Sequence, residues 1–160
     1  MAANANNIIL GAASFSIDGT DVGYTQGGTT FAHEKTMTEV EADQDAGVVR
    51  VARVLEKMTV STTFLESTLN LIRLAFMYPS ANLVSSTLTL GYSDTCWVDE
   101  VQIILVGKSP SCGTRTVTFP KCVSMGNISY AMQRDNPTVL EVEFTILKDT
   151  SGNFGTIVDT

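Results

Sequence analysis

The stretch from residue 36 to residue 77 constrains this chain most, because two strand-like patterns there lead into one short amphipathic helix. Successive side chains of a strand point to opposite faces. Alternation places Thr38, Val40 and Ala42 on one face, and the other face carries Met37, Glu39, Glu41 and Asp43. Three carboxylates on one side suit a face in bulk water, or a face lining something anionic that must not adhere. The stretch therefore favours a structural role over an enzymatic one.

The segment that follows the acidic strand predicts a long connecting loop. Residues 44–57 are rich in Val, but Arg50 and Arg53 interrupt the alternation. Clean alternation returns between residues 57 and 65 and runs into a predicted helix over about 66–77. Leu65, Leu69, Ile72 and Phe76 recur there at helical spacing, and the sequence Tyr-Pro-Ser after residue 77 ends the helix.

The rest of the chain reads mostly as strands. A hairpin over 14–22 turns at Asp18-Gly19, and Gly27-Gly28 separates it from a further short strand. Candidate strands in the second half cover 86–92, 100–108, 114–125 and 137–149, and Pro120 predicts an edge or a bulge. We therefore predict a mainly β fold, a β-sandwich or partial barrel with one main α-helix.

The length of 160 residues predicts one domain over 13–148, with extended terminal arms over 1–12 and 149–160. The arms are polar, but they carry isolated apolar residues, namely Ile8, Ile9, Leu10, Phe154, Ile157 and Val158. Charged residues make up only 17% of the chain. So low a surface charge favours a protein that buries much of its outside against copies of itself.

The charge balance argues against a surface that grips nucleic acid. The net charge is −7, and the ten Lys and Arg residues are scattered, whereas binding without sequence preference needs clustered cations. No segment approaches the ~20 apolar residues that cross a bilayer, and the N-terminus lacks the charged start of a signal peptide. We expect no membrane association.

No residue pattern predicts catalysis or a cofactor. His33 and its neighbour Glu34 face opposite ways on a strand and cannot act as a pair. Asp18 to Asp21 lacks the ligand spacing of a calcium loop and is better read as a turn. The three cysteines, Cys96, Cys112 and Cys122, show neither disulfide nor zinc spacing. We expect a protein without enzymatic activity, metal or cofactor.

The order of these features resembles the major tail tube proteins of long-tailed bacteriophages. The likeness covers residue 14 to about residue 148. It rests on IDGTDVGYTQGG, TEVEADQDAGVV, VSTTFLESTLNLIRLAF and, at the end of a β-rich second half, LEVEFTILKD. In such proteins a strand enters the single helix with a Leu-Glu signature, which here begins at Leu65-Glu66. The resemblance implies a non-enzymatic subunit of stacked, typically hexameric rings, assembled in the host cytoplasm into the virion tail.

The resemblance also implies partners. These are further copies of the chain, the tape measure, tail terminator and baseplate or tip proteins, and DNA that passes without specific binding. We expect a lumen lined by Glu39, Glu41, Asp43, Glu141 and Glu143. Arg50 and Arg53 of the 44–57 loop, with Ile8, Ile9, Leu10, Phe154 and Ile157, are expected at inter-subunit contacts. Two alternatives stay open: the tube of a phage-derived secretion or delivery particle, and a monomeric β-sandwich that binds or decorates.

Overall fold

The computed structural model describes residue 9 and residues 11–43, 47–91 and 98–160. One α-helix, α1 (Leu69–Ala75), lies among the described residues, with 3-10 turns at Ser80–Asn82 and Pro110–Cys112. The strands are β1 (Ser14–Ile17), β2 (Thr20–Asp21), β3 (Thr25–Glu41), β4 (Val48–Phe64), β5 (Leu83–Val84), β6 (Thr87–Leu88), β7 (Val101–Lys108), β8 (Thr114–Ser124), β9 (Ser129–Ala131), β10 (Val139–Ile146) and β11 (Thr156–Asp159).

Nine of these strands form one antiparallel sheet in the order β2-β1-β7-β8-β10-β4-β3, with β9 beside β10 and β11 beside β8. The short strands β5 and β6 pair separately. The predicted hairpin at the start of the chain is confirmed, since β1 and β2 are joined by Asp18 and Gly19. Both turn residues have positive φ, 47° and 76°, as a tight two-residue hairpin requires.

The sheet curls around a single core. Four strand spacings separate β1 from β4, which in a flat sheet amounts to about 19 Å. Yet the rings of Phe15 in β1 and Phe64 in β4 meet edge to face, with centroids 5.7 Å apart. Both side chains are fully buried, in a cluster that includes residues of β7, β8, β10 and α1. The predicted mainly β fold, a sandwich or partial barrel with one main helix, is therefore confirmed.

The prediction of a loop over 44–57 was wrong. Strands β3 and β4 form one continuous hairpin with 17 residues in each strand, and β4 already begins at Val48. β10 covers β4 only from Met58 to Phe64, so residues 48–57 pair with β3 alone. Two irregularities in the pairing, near residues 37 and 41, disturb the alternation, which is why the sequence did not read as a strand. We call residues 31–41 with 48–57 the distal hairpin.

Helix α1 is present as predicted but is shorter than 66–77. Thr68 caps it, because its hydroxyl accepts a hydrogen bond from the Leu71 amide at 3.3 Å. The carboxylate of Glu66, expected in the first helical turn, instead accepts a bond from the Tyr24 amide at 3.1 Å. The buried positions are Leu71, Ile72, Leu74 and Ala75, whereas Leu69 is partly exposed.

The predicted C-terminal arm is part of the sheet from residue 156 onward. β11 runs along the first half of β8, while β10 pairs with the second half. A register shift in the β7–β8 pairing opposite Pro120 confirms the predicted bulge and separates the two halves. The arm prediction rested on composition, which cannot reveal that β8 offers an open edge.

Strand directions give the body two different ends. β4 runs parallel to β8, because each is antiparallel to β10. The tip of the distal hairpin, the start of β1 at Ser14, the turn after Lys108 and the C-terminal Thr160 therefore point to one end, which we call the hairpin end. Helix α1 follows Phe64 at the opposite end, which we call the helix end.

Candidate assembly surfaces

A polar, acidic face lies on the outside of the sheet where β10 meets β4. Glu141 and Glu143 alternate with the buried residues Leu140 and Val142, so their carboxylates point away from the core. Their cross-strand neighbours are Thr63 and Ser61, respectively. An open groove of ≈ 390 Å³ follows this face, and its lining residues include no Lys or Arg in the described chain. A face so composed stays hydrated and repels polyanions.

The carboxylates of the distal hairpin lie on the other side of the same sheet. Phe31 pairs with the buried Val60, so both side chains are on the core side. Alternation along β3 then places Glu39 and Glu41 on that side too. Glu141 and Glu143 are on the outer side. Within a subunit the five carboxylates therefore do not share one face of the sheet, because the two strands present opposite faces; their position toward a lumen stays a prediction.

Asp43 does not belong to either carboxylate face. β3 ends at Glu41, and Asp43 is an exposed residue of the connecting turn. Glu39 and Glu41 are also exposed. The predicted face of three carboxylates is reduced to two strand residues, because the hairpin turns earlier than the alternation suggested.

The distal hairpin exposes an unusual amount of apolar surface. Seven of its side chains are between 46% and 65% exposed, namely Met37, Val40, Val48, Val49, Val51, Val54 and Leu55. Arg50 lies opposite Val40 and makes no ion pair in the described part of the chain, whereas Arg53 binds Glu56 at 3.0 Å. Exposed apolar side chains clustered on one element mark an interaction surface.

The hairpin also has unpaired strand edges. Within the described ranges, β3 has β4 on one side and no strand on the other. The edge of β4 that β10 covers at residues 58–64 is open at residues 48–57. Long, open edges of this kind are templates for pairing with another chain. Gly27 and Gly28, with φ of 75° and 83°, form a bulge on β3 near the body.

A cluster that the sequence did not suggest centres on Glu56 of β4. Its carboxylate lies 3.1 Å from His33 Nε2, 3.0 Å from Arg53 Nη1 and 3.2 Å from Lys148 Nζ. Desolvation alone would raise the pKa of Glu56. The hydrogen bond from Lys148 and the charges of Arg53, Lys148 and His33 outweigh it, so this pKa is lowered. No local signal marks the cluster, because Lys148 is 92 residues away.

The remaining predicted contact residues fall into three groups. Ile8 and Leu10 lie outside the described residues, and Ile9 is half-buried. Phe154 is half-buried and packs against the core. Ile157 is 57% exposed on β11. Among the described residues of this set, Ile157 alone offers a large apolar surface in the subunit.

The residues considered for chemistry have structural surroundings. Asp18 accepts a hydrogen bond from the Gln102 amide at 2.7 Å, and Asp21 accepts one from the Gly23 amide at 2.9 Å, which fits the turn interpretation. Cys122 is buried, and burial raises the pKa of its thiol to about 12. Cys112 is exposed, and Cys96 lies outside the described residues.

Neither a cluster of metal-binding side chains nor a membrane-spanning helix lies among the described residues. No group of three or more His, Cys, Asp or Glu side chains there could hold a metal ion. Of the helices in these same ranges, none has the length and apolar character needed to cross a membrane.

No protein-family model matches the chain, and no curated protein matches its sequence.

Proposed function

We propose that this protein is a structural subunit of a bacteriophage tail tube. It would form stacked hexameric rings in the host cytoplasm, and these rings would become part of the virion tail. The observation that carries the proposal is the distal hairpin, a long two-stranded element whose apolar side chains and open edges are exposed. An isolated monomer with such an element invites uncontrolled pairing. A head-to-tail ring of identical subunits covers these edges, because the contact repeats until the ring closes.

The outer sheet face supports the second half of the proposal. A conduit for DNA needs a wall that does not bind it, and DNA carries one negative charge per ~1.7 Å of its axis. The face around Glu141 and Glu143 is acidic and rich in hydroxyl groups, and none of the described residues that line its groove is a Lys or an Arg. We assign the lumen to this face, and we place Glu39 and Glu41 on the opposite side, toward neighbouring subunits.

The proposed tail subunit has protein partners and DNA in transit, but no catalytic role. The partners are other copies of the chain, the tape measure, tail terminator and baseplate or tip proteins, and DNA in transit. The proposal assigns no enzymatic activity and no cofactor to the subunit. The tube of a phage-derived secretion or delivery particle would need the same geometry, and the contents of purified particles distinguish it from a tail.

Negative-stain electron microscopy of the purified protein tests assembly directly. We expect rings or hollow tubes. Val54→Asp, at a position 65% exposed on the distal hairpin, should abolish them while the subunit stays folded. Val84→Asp is the matched control, because Val84 is 68% exposed on β5, away from the hairpin. A wild-type protein that remains monomeric at every concentration and salt condition would support a monomeric binding or decoration module instead.

The lumen assignment has its own test in assembled phage. Replacing both Glu141 and Glu143 with Lys should leave tubes intact and lower infectivity per intact particle, because a basic wall attracts DNA. Replacing both Glu39 and Glu41 with Lys should change assembly rather than delivery. The reverse pattern would place the lumen on the other face and leave the tube proposal standing.

A further inference from the structure

The direction in which the distal hairpin leaves the body is not set by the sheet. β10 ends at Ile146, opposite Met58, so the hairpin has no strand partner in the described body beyond that point. Two-stranded ribbons twist strongly and are stable only marginally by themselves. Some other contact must hold the hairpin at a defined angle.

Close packing reaches only the base of the hairpin, where the Phe31 ring meets Phe119 of β8 edge to face, with centroids 6.0 Å apart. A groove of ≈ 400 Å³ lies between the base of the hairpin and the segment that leads to β11, with Phe31, Met58, Phe119 and Phe154 among its lining residues. The bulge at Gly27 and Gly28, opposite residues 61–63 of β4, is also unpacked, because a Cβ at either glycine would meet nothing within 4 Å. The base of the hairpin therefore has room to bend.

The chain after β10 bridges this gap at two points. The Lys148 ammonium donates to Glu56 Oε2 at 3.2 Å and also lies 5.1 Å from the centroid of the Phe154 ring. The ring of Phe154 meets His33 edge to face, with centroids 6.0 Å apart. On the hairpin side, Glu56 is only 13% exposed and is also held by Arg53 and His33. One carboxylate therefore joins both strands of the hairpin to the C-terminal segment.

We infer that Glu56 and Lys148 form a latch with which the C-terminal segment fixes the angle of the distal hairpin. Glu56 is thus a positioning residue, which acts by presenting the hairpin to a neighbouring copy in one direction. This presentation rests on the proposed ring assembly, whereas the latch itself is a property of the free subunit. Holding the hairpin in one direction before contact lowers the entropic cost of association.

The latch is tested by measuring the distance between hairpin and body in the free subunit. Spin labels at Thr38→Cys on the hairpin and Gln102→Cys on β7 are both at exposed positions. The background carries Cys96→Ser and Cys112→Ser, and the buried Cys122 stays unlabelled. Pulsed electron paramagnetic resonance on dilute protein should give one narrow distribution of the distance between the two spin labels when the chain is otherwise native.

Glu56→Gln and Lys148→Met each break the same contact from one side and should each replace the narrow distribution with a broad one. The double variant should be no broader than either single variant, since partners in one contact are not additive. Glu34→Gln is the control, because it removes a carboxylate from the opposite face of the same hairpin, across from Lys57. Circular dichroism verifies that each variant is folded.

The outcomes separate the latch from the proposed function. A narrow distribution in both latch variants, or equal broadening in Glu34→Gln, overturns the latch even if tubes form. Broadening in the latch variants alone supports the latch, even if the native chain never assembles. If tubes do form, electron microscopy of the Glu56→Gln protein should show loss of regular rings, and regular rings would show that assembly does not need the fixed angle.

Discussion

The edge-to-face contact between Phe15 and Phe64 gives the most direct test of the curled sheet. Both rings are fully buried and come from strands on opposite sides of the core. Truncating either ring to Ala should cost roughly 3–5 kcal/mol of unfolding free energy, or about 6–20 °C in Tm for a chain of this length. Beyond area burial, a ring pair in this geometry contributes ~0.5–1.5 kcal/mol.

The assay is a double-mutant cycle with Phe15→Leu, Phe64→Leu and the double variant, measured by urea unfolding. We expect a coupling energy of about 0.5–1.5 kcal/mol. The matched control is the cycle of Phe31→Leu and Phe119→Leu, whose rings also meet edge to face. Because Phe31 is 44% exposed, truncating it to Ala should cost about half the unfolding free energy expected for Phe15 or Phe64. Additive effects for Phe15 and Phe64, within error, would refute contact across the core and hence the closure of the sheet.

Three further predictions concern single features. Gly28→Ala should lower stability by about 1 kcal/mol, because φ of 83° strains any residue with a Cβ; an unchanged urea midpoint would contradict the bulge. The hydrogen bond from Arg115 lowers the pKa of Asp159, so the pair stabilises the fold fully above the unfolded Asp pKa of ~3.9 and loses this effect as pH falls through the folded pKa. Asp159→Asn should therefore reduce the urea midpoint slightly at pH 7 and leave it unchanged at the lowest pH that keeps the fold. Iodoacetamide at pH 8 should alkylate Cys112 and spare Cys122, because burial raises the pKa of the Cys122 thiol to about 12; mass spectrometry of native and unfolded protein checks this.

The strands that were predicted well are those with one buried and one exposed face. β7 and β10 alternate between buried and exposed residues, and both were predicted to within three residues of their observed bounds. The second strand of the distal hairpin was not predicted. A two-stranded ribbon exposed on both faces has no buried face that would impose an alternation of apolar and polar residues. Two bulges then removed the remaining alternation around Arg50 and Arg53.

The candidate surfaces were predictable only strand by strand. Alternation identified that Glu141 and Glu143 share a face, and likewise Glu39 and Glu41. Which side of the sheet each pair occupies depends on the register of β3, β4 and β10, including the irregularity between Gln26 and Thr30. The Glu56 cluster depends on contacts across 92 residues, and no local pattern encodes them.

The two unlike ends of the body give the subunit a polarity. Thr160 and the start of β1 lie at the hairpin end, so anything fused to the chain at either position begins there. If the chain polymerises along this axis as proposed, a bulky fusion would obstruct one growing end and leave the other free. Mixed with native chain, such a fusion should act as a terminator that shortens tubes in proportion to its mole fraction. The attached domain would then mark, in a micrograph, which way the polymer points.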